Sequence, residues 1–211
     1  MGQIDIFGAA QERDEAPKLV KGINIIPNGE FTFIPDFFTS VESDSYFRIL
    51  RSESDWKQES MNMYGKKIPF PRLTAWYGDS DKPYSFSGLT LQPSPWTKDL
   101  IEIRDKIKTL ANVVFNSVLL NLYRNGNDSI SWHTDAELEL GLNPVIASVN
   151  FGSTRTFQLR HLKTKQKIEI ELEKGSLLIM SGELQHYWQH QVPKTSKLVG
   201  ERINLTFRVL N

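Results

Sequence analysis

The stretch RINLTFRVL, residues 202–210, alternates strictly between polar and apolar side chains. A period of two is typical of a β-strand whose two faces meet different surroundings. The apolar face carries Ile203, Leu205, Phe207 and Val209, and the polar face carries Arg202, Asn204, Thr206 and Arg208. A polar face of this kind usually meets water, but it can also line the interior of a barrel.

Three stretches upstream also have strand patterns: NSVLLNLYR at 116–124, PVIASVNFGSTRTFQLRH at 144–161 and IEIELEKGSLLIM at 168–180. Gly175 predicts a turn within the third stretch. The strands follow one another without intervening helices, which favours a mostly antiparallel pair of sheets or a barrel. We therefore predict a mostly β fold with flanking helices.

Two helices are predicted before these strands. The segment 97–110 has a clear amphipathic pattern, and 40–53 has helical spacing with Ser40 as a plausible N-cap. Residues 60–96 are rich in Pro, Gly, Ser and aromatic residues, which indicates short strands and exposed loops. We expect residues 1–20 to be a loose tail, 21–211 to be a single domain, and 60–96 to be a lobe at its open end.

The chain has 211 residues, no cysteine and a formal net charge of zero. The lack of cysteine excludes disulfides, thiolate nucleophiles and sulfur-ligated metals, so any metal must be held by histidines and carboxylates. No apolar run is long enough to cross a bilayer. We expect an intracellular monomer that has no membrane partner and does not grip nucleic acid by global charge.

A candidate metal site begins in SWHTDAELELG, residues 131–141. In an extended backbone, His133 and Asp135 point to the same side, so they can share an ion. The alternative is a solvated histidine–aspartate hydrogen bond in a polar loop. The segment QHYWQHQVP, 185–193, favours a strand and offers His186 or His190 as a third ligand. Two histidines and a carboxylate suit a non-haem iron(II) oxygenase or a zinc hydrolase.

A candidate anion pocket lies beside this site if two polar strand faces point inward. Ser117, Asn121 and Tyr123 alternate with apolar residues, as the residues of 202–208 do. Two arginines would then face the interior. The planar guanidinium matches a carboxylate with two parallel hydrogen bonds, so such a pocket suits a small dicarboxylate.

Taken in order, these motifs resemble the AlkB family of iron(II)- and 2-oxoglutarate-dependent nucleic-acid dealkylases. The resemblance runs from about residue 60 to the C-terminus, and PRLTAWYGD, YSFSGLTL, ASVNFG and GSLLIM resemble the branch that repairs duplex DNA. It implies a double-stranded β-helix (jelly roll) core with an N-terminal nucleotide-recognition lobe. It also implies iron(II), with 2-oxoglutarate and dioxygen as co-substrates.

The resemblance assigns residue roles as well. The implied iron ligands are His133, Asp135 and His190, the last because the family's ligand stands shortly before a proline, here Pro193. The second arginine of the RxNxTFR pattern, Arg208, is implied to bind the distal carboxylate of 2-oxoglutarate. The whole implied co-substrate pocket consists of Asn121, Tyr123, Arg202, Asn204, Thr206 and Arg208.

The implied reaction is oxidative demethylation of bases such as 1-methyladenine and 3-methylcytosine in DNA, with release of formaldehyde. The damaged nucleotide must first be extruded from the duplex. Tyr64 falls where the duplex branch carries an aromatic finger. The implied substrate-binding residues are Tyr64, Gly65, Lys66, Arg72, Tyr84, Phe86 and Glu137. Alternatives are an RNA or single-stranded DNA demethylase, a protein or small-molecule hydroxylase, and a non-catalytic nucleic-acid-binding domain.

Two departures from the duplex branch stand out. Ala136 replaces a carboxylate, and PKTSK keeps only Lys194 and Lys197 of a basic triplet. A basic run at Arg160, Lys163, Lys165 and Lys167 is either a solvated hairpin end or a phosphate contact. With DNA as the partner, we expect a cytoplasmic (nucleoid) location in a bacterium and a nuclear one in a eukaryote.

Overall fold

The structure, a computed structural model, describes residues 21–63, 66–79, 84–86 and 89–211. The predicted tail, 1–20, lies outside these residues. The helices are α1 (Ser40–Glu53), α2 (Lys98–Ala111) and α3 (Leu184–Tyr187), with a 3-10 turn at Leu138–Leu140. The strands are β1 (Gly22–Ile26), β2 (Gly29–Ile34), β3 (Ser60–Met63), β4 (Lys66–Pro69), β5 (Leu73–Gly78), β6 (Tyr84–Phe86), β7 (Leu89–Leu91), β8 (Ser117–Tyr123), β9 (Ile130–His133), β10 (Ile146–Gly152), β11 (Arg155–His161), β12 (Lys167–Leu172), β13 (Leu177–Ser181), β14 (Trp188–Val192) and β15 (Arg202–Arg208).

Two antiparallel sheets form the core of the fold. The major sheet has the order β1-β2-β13-β10-β15-β8-β5, and the minor sheet has the order β12-β11-β14-β9. Apolar side chains of both sheets form one buried cluster, which includes Phe31 and Ile146 from the major sheet and Leu159 and Ile170 from the minor sheet. This arrangement confirms the predicted mostly β fold and its double-stranded β-helix core.

β15 is an interior strand of the major sheet, between β10 and β8. Its residues from Arg202 to Arg208 pair in reverse order with Tyr123 back to Ser117 of β8. Ile203, Leu205 and Phe207 belong to the larger core cluster, while the polar residues line a cavity between the sheets. The polar face of this strand is therefore interior, which decides between the two alternatives that its alternation left open.

The two longer helices pack their apolar residues into the larger core cluster. In α2, Leu100, Ile103 and Ile107 are fully buried, and Thr97 caps the helix by accepting from the backbone N–H of Leu100. The N-cap of α1 is Thr39, with Glu42 completing a capping box, so the expectation of Ser40 was wrong by one residue. No helix among the described residues is long and apolar enough to span a membrane.

The predicted turn at Gly175 lies where the chain crosses from the minor to the major sheet, between β12 and β13. Gly175 has a φ of +82°, which favours glycine. Its carbonyl accepts from the Phe38 N–H at 3.0 Å, and its N–H donates to the Asn150 carbonyl at 2.7 Å. A Cβ here would lie 2.4 Å from the Phe38 carbonyl oxygen, so a larger residue does not fit.

Two regions differ from their predictions. Within 60–96, β3–β4 and β6–β7 are separate two-stranded sheets, but β5 pairs with β8 as an edge strand of the major sheet. The lobe is therefore interrupted by a core strand. Residues 185–193 were expected to be one strand, but the helical turn α3 precedes β14. His186 lies in that turn and His190 lies in the strand, so the two do not share a face.

Candidate active site

The candidate metal ligands come from the end of one strand, the following loop and the neighbouring strand. His133 ends β9 and faces its register partner His190 on β14, with ring centroids 4.2 Å apart. Asp135 follows two residues after His133. Ligand atoms of these three residues lie within 4.8 Å of one another. Among the described residues, they form the cluster of histidine and carboxylate side chains that could hold a metal ion.

Hydrogen bonds fix the orientation of these side chains. His133 Nδ1 lies 2.8 Å from the Ser131 carbonyl, so His133 Nε2 is the ring nitrogen that faces Asp135 Oδ1, at 3.9 Å. The Asp135 backbone N–H donates to Gln185 Oε1 at 2.9 Å. Oδ1 of Asp135 is buried without a hydrogen-bond partner in the described part of the chain. A cation between these atoms would satisfy that oxygen.

The electrostatics favour the ligand form of both buried residues. Burial alone would raise the pKa of the Asp135 carboxyl, but the charges of Arg208, His190 and His133 outweigh burial and lower it to about 2. Burial, followed by the charge of His133, lowers the pKa of His190 to about 3. Asp135 is therefore an anion and His190 a neutral imidazole near neutral pH, as metal binding requires.

His186, the other candidate ligand, points elsewhere. It is exposed, and its Nε2 lies 2.9 Å from Asn143 Oδ1. The helical turn α3 separates it from the strand that carries His190. This geometry supports the choice of His190.

A cavity of about 40 Å³ extends from the metal ligands between the two sheets. Thr206 Oγ1 donates to Asn204 Oδ1 at 3.0 Å, and Asn204 Nδ2 donates to Ser148 Oγ at 2.8 Å. The structure thus brings the predicted co-substrate residues together in one polar lining. They are Asn121, Tyr123, Arg202, Asn204, Thr206 and Arg208.

The two arginines of β15 lie at opposite ends of this lining. Arg208 Nη2 donates to Asp135 Oδ2 at 3.0 Å, and both side chains are buried. Arg202 Nη2 donates to Asn150 Oδ1. The guanidinium carbon of Arg202 lies 4.9 Å from the Tyr123 ring centroid.

Arg202 is fully buried, and burial lowers its pKa to about 10. Its Nε and Nη1 have no hydrogen-bond partner among the described residues. A buried guanidinium with free donors is costly unless an anion joins it. Arg208 instead already bonds to a metal-ligand carboxylate. Arg208 thus lies at the metal end of the lining, and the expectation that it takes the distal carboxylate stays a prediction.

A larger cavity, of about 300 Å³, shares Ile130 and His133 with the first cavity. Arg72 and Glu137, both predicted substrate residues, line it. Oε2 of Glu137 is buried and, within the described ranges, lacks a hydrogen-bond partner. Arg72 is buried and donates from Nε to Asn121 Oδ1 at 2.7 Å, so it joins the linings of the two cavities.

The remaining predicted substrate residues are Tyr64, Gly65, Lys66, Tyr84 and Phe86. Lys66 is exposed on β4 of the β3–β4 hairpin. Tyr64 and Gly65 lie outside the described residues. Tyr84 and Phe86 belong to β6, but their side chains also lie outside the described part of the structure.

The basic run occupies the hairpin between β11 and β12. Lys163, Lys165 and Lys167 are exposed there, whereas the guanidinium carbon of Arg160 lies 4.2 Å from the centroid of a Trp132 ring. Lys165 has a φ of +65°, and its Nζ donates to the Leu162 carbonyl at 2.6 Å. Whether this hairpin contacts phosphate stays a prediction.

Sequence reasoning missed several buried polar residues around the site. Gln185 and Asn150 accept from Asp135 and Arg202, and Arg155 contacts Tyr123. Arg155 could have been found, since it shares the inward face of β11 with Phe157 and Leu159.

Comparisons with known proteins agree with this geometry. The family model described as the 2OG-Fe(II) oxygenase superfamily matches residues 30–208. Alpha-ketoglutarate-dependent dioxygenase alkB homolog 3 of Bos taurus is 40% identical over 200 residues, covering 89% of this chain and 69% of that protein. The chain belongs to the AlkB family.

Two further matches extend the comparison within the AlkB family. DNA oxidative demethylase ALKBH2 of Homo sapiens is 38% identical over 182 residues, which cover 81% of this chain and 70% of that protein. The solved structure of OsALKBH1 matches with a TM-score of 0.61 at 19% identity, over 88% of this chain and 99% of that chain. The latter match supports the fold alone.

Membership in the superfamily implies iron(II), with 2-oxoglutarate and dioxygen as co-substrates. The residues present fit this requirement. The set of His133, Asp135 and His190 supplies the two imidazoles and one carboxylate of a facial iron(II) site. It also offers the ion a buried carboxylate oxygen that has no hydrogen-bond partner in the part of the chain that the structure describes.

Proposed function

We propose that this enzyme removes alkyl groups oxidatively from bases of DNA, with 1-methyladenine and 3-methylcytosine as substrates. The observation that carries the proposal is the cavity of about 300 Å³ beside His133, which Glu137 lines with a buried oxygen that has no hydrogen-bond partner among the described residues. Such an acceptor suits the exocyclic amino group that adenine and cytosine share. The ALKBH2 relatives are named DNA oxidative demethylases, which supports the same chemistry.

The proposed roles divide the site into three parts. Iron(II) bound by His133, Asp135 and His190, together with 2-oxoglutarate and dioxygen, supplies oxidation of the N-alkyl carbon. Glu137 and the lining of the larger cavity orient an extruded base so that its alkyl group points toward His133. Hydroxylation of the methyl carbon that is bonded to the base nitrogen would give an unstable N-hydroxymethyl product, whose N–C bond breaks to release formaldehyde and leave the repaired base.

We further propose that Arg202, rather than Arg208, binds the carboxylate of 2-oxoglutarate that is remote from the metal. The two arginines are six residues apart on a strand, and their Cα atoms are therefore separated by roughly 20 Å. Arg208 bonds to the ligand Asp135 at one end. At the other end, beside Tyr123, Arg202 has buried donors without a partner in the described ranges, and a second carboxylate would satisfy them.

The test is formaldehyde release from oligonucleotides that carry 1-methyladenine or 3-methylcytosine, assayed with iron(II) and 2-oxoglutarate. Asp135→Ala serves as the inactive control. Formaldehyde in proportion to repaired base supports the proposal. Turnover of 2-oxoglutarate without any repair of either base would overturn it in favour of a hydroxylase that acts on protein or a small molecule.

Single-stranded DNA or RNA is the second candidate substrate. It is favoured by PKTSK, in which only Lys194 and Lys197 remain of the basic triplet of the duplex branch. Competition between methylated duplex, single-stranded DNA and RNA at two salt concentrations separates these substrates. Preference for duplex with a steep salt dependence supports phosphate contacts to both strands, whereas preference for either single-stranded substrate assigns the enzyme to that polymer.

A further inference from the structure

Two buried guanidiniums from opposite sheets approach one tyrosine ring. The Tyr123 ring centroid lies 4.9 Å from the guanidinium carbon of Arg202, on β15, and 5.6 Å from that of Arg155, on β11. Contacts of this kind are favourable because the aromatic face is electron-rich. The second contact connects the minor sheet to a residue of the co-substrate pocket.

Arg155 is held in place by three backbone carbonyls. Its Nη2 donates to the Pro193 carbonyl at 2.6 Å and to the Asp128 carbonyl at 2.9 Å, and its Nη1 donates to the Asn125 carbonyl at 3.2 Å. These carbonyls belong to the connection between β8 and β9 and to the segment that follows β14. Arg155 therefore joins the connection after Tyr123 to the segment after the ligand strand β14.

Arg155 reaches Tyr123 from outside the small cavity. Tyr123 and Arg202 line that cavity, whereas Arg155 lines a different, polar cavity of about 170 Å³ near Lys194 and Thr195. Arg155 is only 3% exposed, so its position is fixed by packing as well as by hydrogen bonds. Its influence on a bound anion must therefore pass through the ring and through the electrostatic field.

We propose that Arg155 is a positioning residue for 2-oxoglutarate, because it holds Tyr123 and the β8–β9 connection in the arrangement that lets Arg202 receive the distal carboxylate. This inference rests on the proposed assignment of Tyr123 and Arg202 to the co-substrate. Arg155 also adds a second buried positive charge to that end of the pocket. Both contributions act on binding of the co-substrate and leave the metal ligands unaffected.

The test is the variant Arg155→Lys, which keeps the charge but loses the planar fork that reaches three carbonyls. Loss of one cation–π contact and one hydrogen bond corresponds to about a 5- to 30-fold weaker affinity for 2-oxoglutarate. We expect the KM for 2-oxoglutarate to rise by that factor, with kcat and iron(II) affinity within about twofold of the parent. Stabilisation by 2-oxoglutarate against heat, measured with manganese(II) in the site, should fall in parallel.

Arg124→Lys is the matched structural control. Arg124 lies in the same connection and donates to Asp128 Oδ2 from Nε at 2.7 Å, but its side chain is partly exposed. Its substitution should lower Tm without changing the affinity for 2-oxoglutarate. An equal rise in KM for both variants would mean that loosening the connection is sufficient, and it would overturn the specific role of Arg155.

A double-mutant cycle with Tyr123→Leu tests whether Arg155 acts through the ring. In that background, Arg155→Lys should cost much less than it does alone, whereas additive losses would overturn the proposal. If Arg155→Lys is not folded, the cycle is run with Arg155→Gln, which keeps an amide donor. If Arg202→Lys leaves the affinity for 2-oxoglutarate unchanged, the pocket assignment fails. If Arg202→Lys weakens it and Arg155→Lys does not, only the positioning role fails.

Discussion

The two ends of β15 place a buried arginine in opposite situations. At one end, Arg208 donates to the Asp135 carboxylate at 3.0 Å, and the positive charge of Arg208 lowers the pKa of that carboxyl. At the other end, Arg202 donates to Asn150, and two of its guanidinium nitrogens have no hydrogen-bond partner among the described residues. The same strand thus presents one arginine that pairs with a carboxylate and one that pairs with no carboxylate in the described part of the chain.

This difference indicates which end receives a ligand anion. A buried arginine that pairs with a carboxylate of the protein holds that carboxylate in place, and here the carboxylate belongs to a metal ligand. A buried charge without an anionic partner destabilises the protein alone, so its retention is best explained by a ligand that completes it. The predictions below test this division from the largest effect to the smallest.

Removing the ligand at the metal end should have the largest effect. Asp135→Ala removes one of three metal ligands and leaves Arg208 buried without its carboxylate. Turnover should be abolished, and iron(II) affinity should fall by more than the roughly 10- to 100-fold typical of an outer-shell partner. Equilibrium titration with iron(II) under anaerobic conditions measures the affinity.

The control for this prediction is His186→Ala, because His186 bonds to Asn143 and not to the metal group. It should keep most of the activity. Loss of activity in His186→Ala together with an active His190→Ala would contradict the assigned ligand set.

At the other end, Arg202→Lys should weaken co-substrate binding. Lysine retains the charge but cannot form two parallel bonds to a carboxylate, so the KM for 2-oxoglutarate should rise by roughly tenfold or more. Iron(II) affinity should be unchanged. Steady-state kinetics over a range of 2-oxoglutarate concentrations measure this KM. An unchanged KM would contradict the assignment of the distal carboxylate to the Arg202 end.

Arg208→Lys should instead weaken the binding of iron(II), and this loss should be smaller than the loss of 2-oxoglutarate affinity in Arg202→Lys. A lysine keeps a positive charge near Asp135 but positions the carboxylate less well, so iron(II) affinity should fall by about tenfold or less. The informative quantity is the fold loss of iron(II) affinity divided by the fold loss of 2-oxoglutarate affinity. A larger loss of 2-oxoglutarate affinity than in Arg202→Lys would restore the original assignment of Arg208 to the distal carboxylate.

The smallest expected effect concerns stability alone, at the N-terminal cap of α1. The hydrogen bond from Lys106, then those from Thr39, lower the pKa of Glu42 to about 2. Because this pKa is depressed in the folded state, the stabilisation is present above the ordinary value of 4.5 and is lost as the pH falls toward 2. Thr39→Ala should cost about 1 kcal/mol of unfolding free energy and should flatten this acid dependence.

Denaturant unfolding at several pH values measures this effect. The affinities for iron(II) and 2-oxoglutarate at neutral pH should remain those of the parent. A change in either affinity would show that lost stability alone alters the pocket. The affinity changes of the Arg202 and Arg208 variants could then not be assigned to the two ends of β15.

The alternation of RINLTFRVL was sufficient to predict the strand, but not the surroundings of its polar face. That face is interior because the minor sheet covers it. The strands of the minor sheet are distant in sequence from β15, so the residues of 202–210 do not indicate this cover. The His133 and Asp135 geometry was predictable because an extended backbone aligns side chains two residues apart. The break between α3 and β14 was not predictable, since the spacing of His186 and His190 suits a helix and a strand equally.

The role of Arg208 shows another limit of sequence reasoning. Two arginines six residues apart on one face are equivalent by type and by alternation. They become different only when Asp135, 73 residues earlier in the chain, lies beside one of them. The single-residue error at the cap of α1 has a local origin, because Thr39 and Ser40 are both good N-caps.

The interior position of β15 has a consequence for biosynthesis. Among the described strands it is synthesised last, yet it lies between β10 and β8 and supplies four residues of the small cavity. During translation, the two halves of the major sheet must therefore wait, with unpaired edges, for a strand that leaves the ribosome after them. This interval is when a nascent chain exposes edges prone to aggregation, so chaperone dependence should be concentrated there.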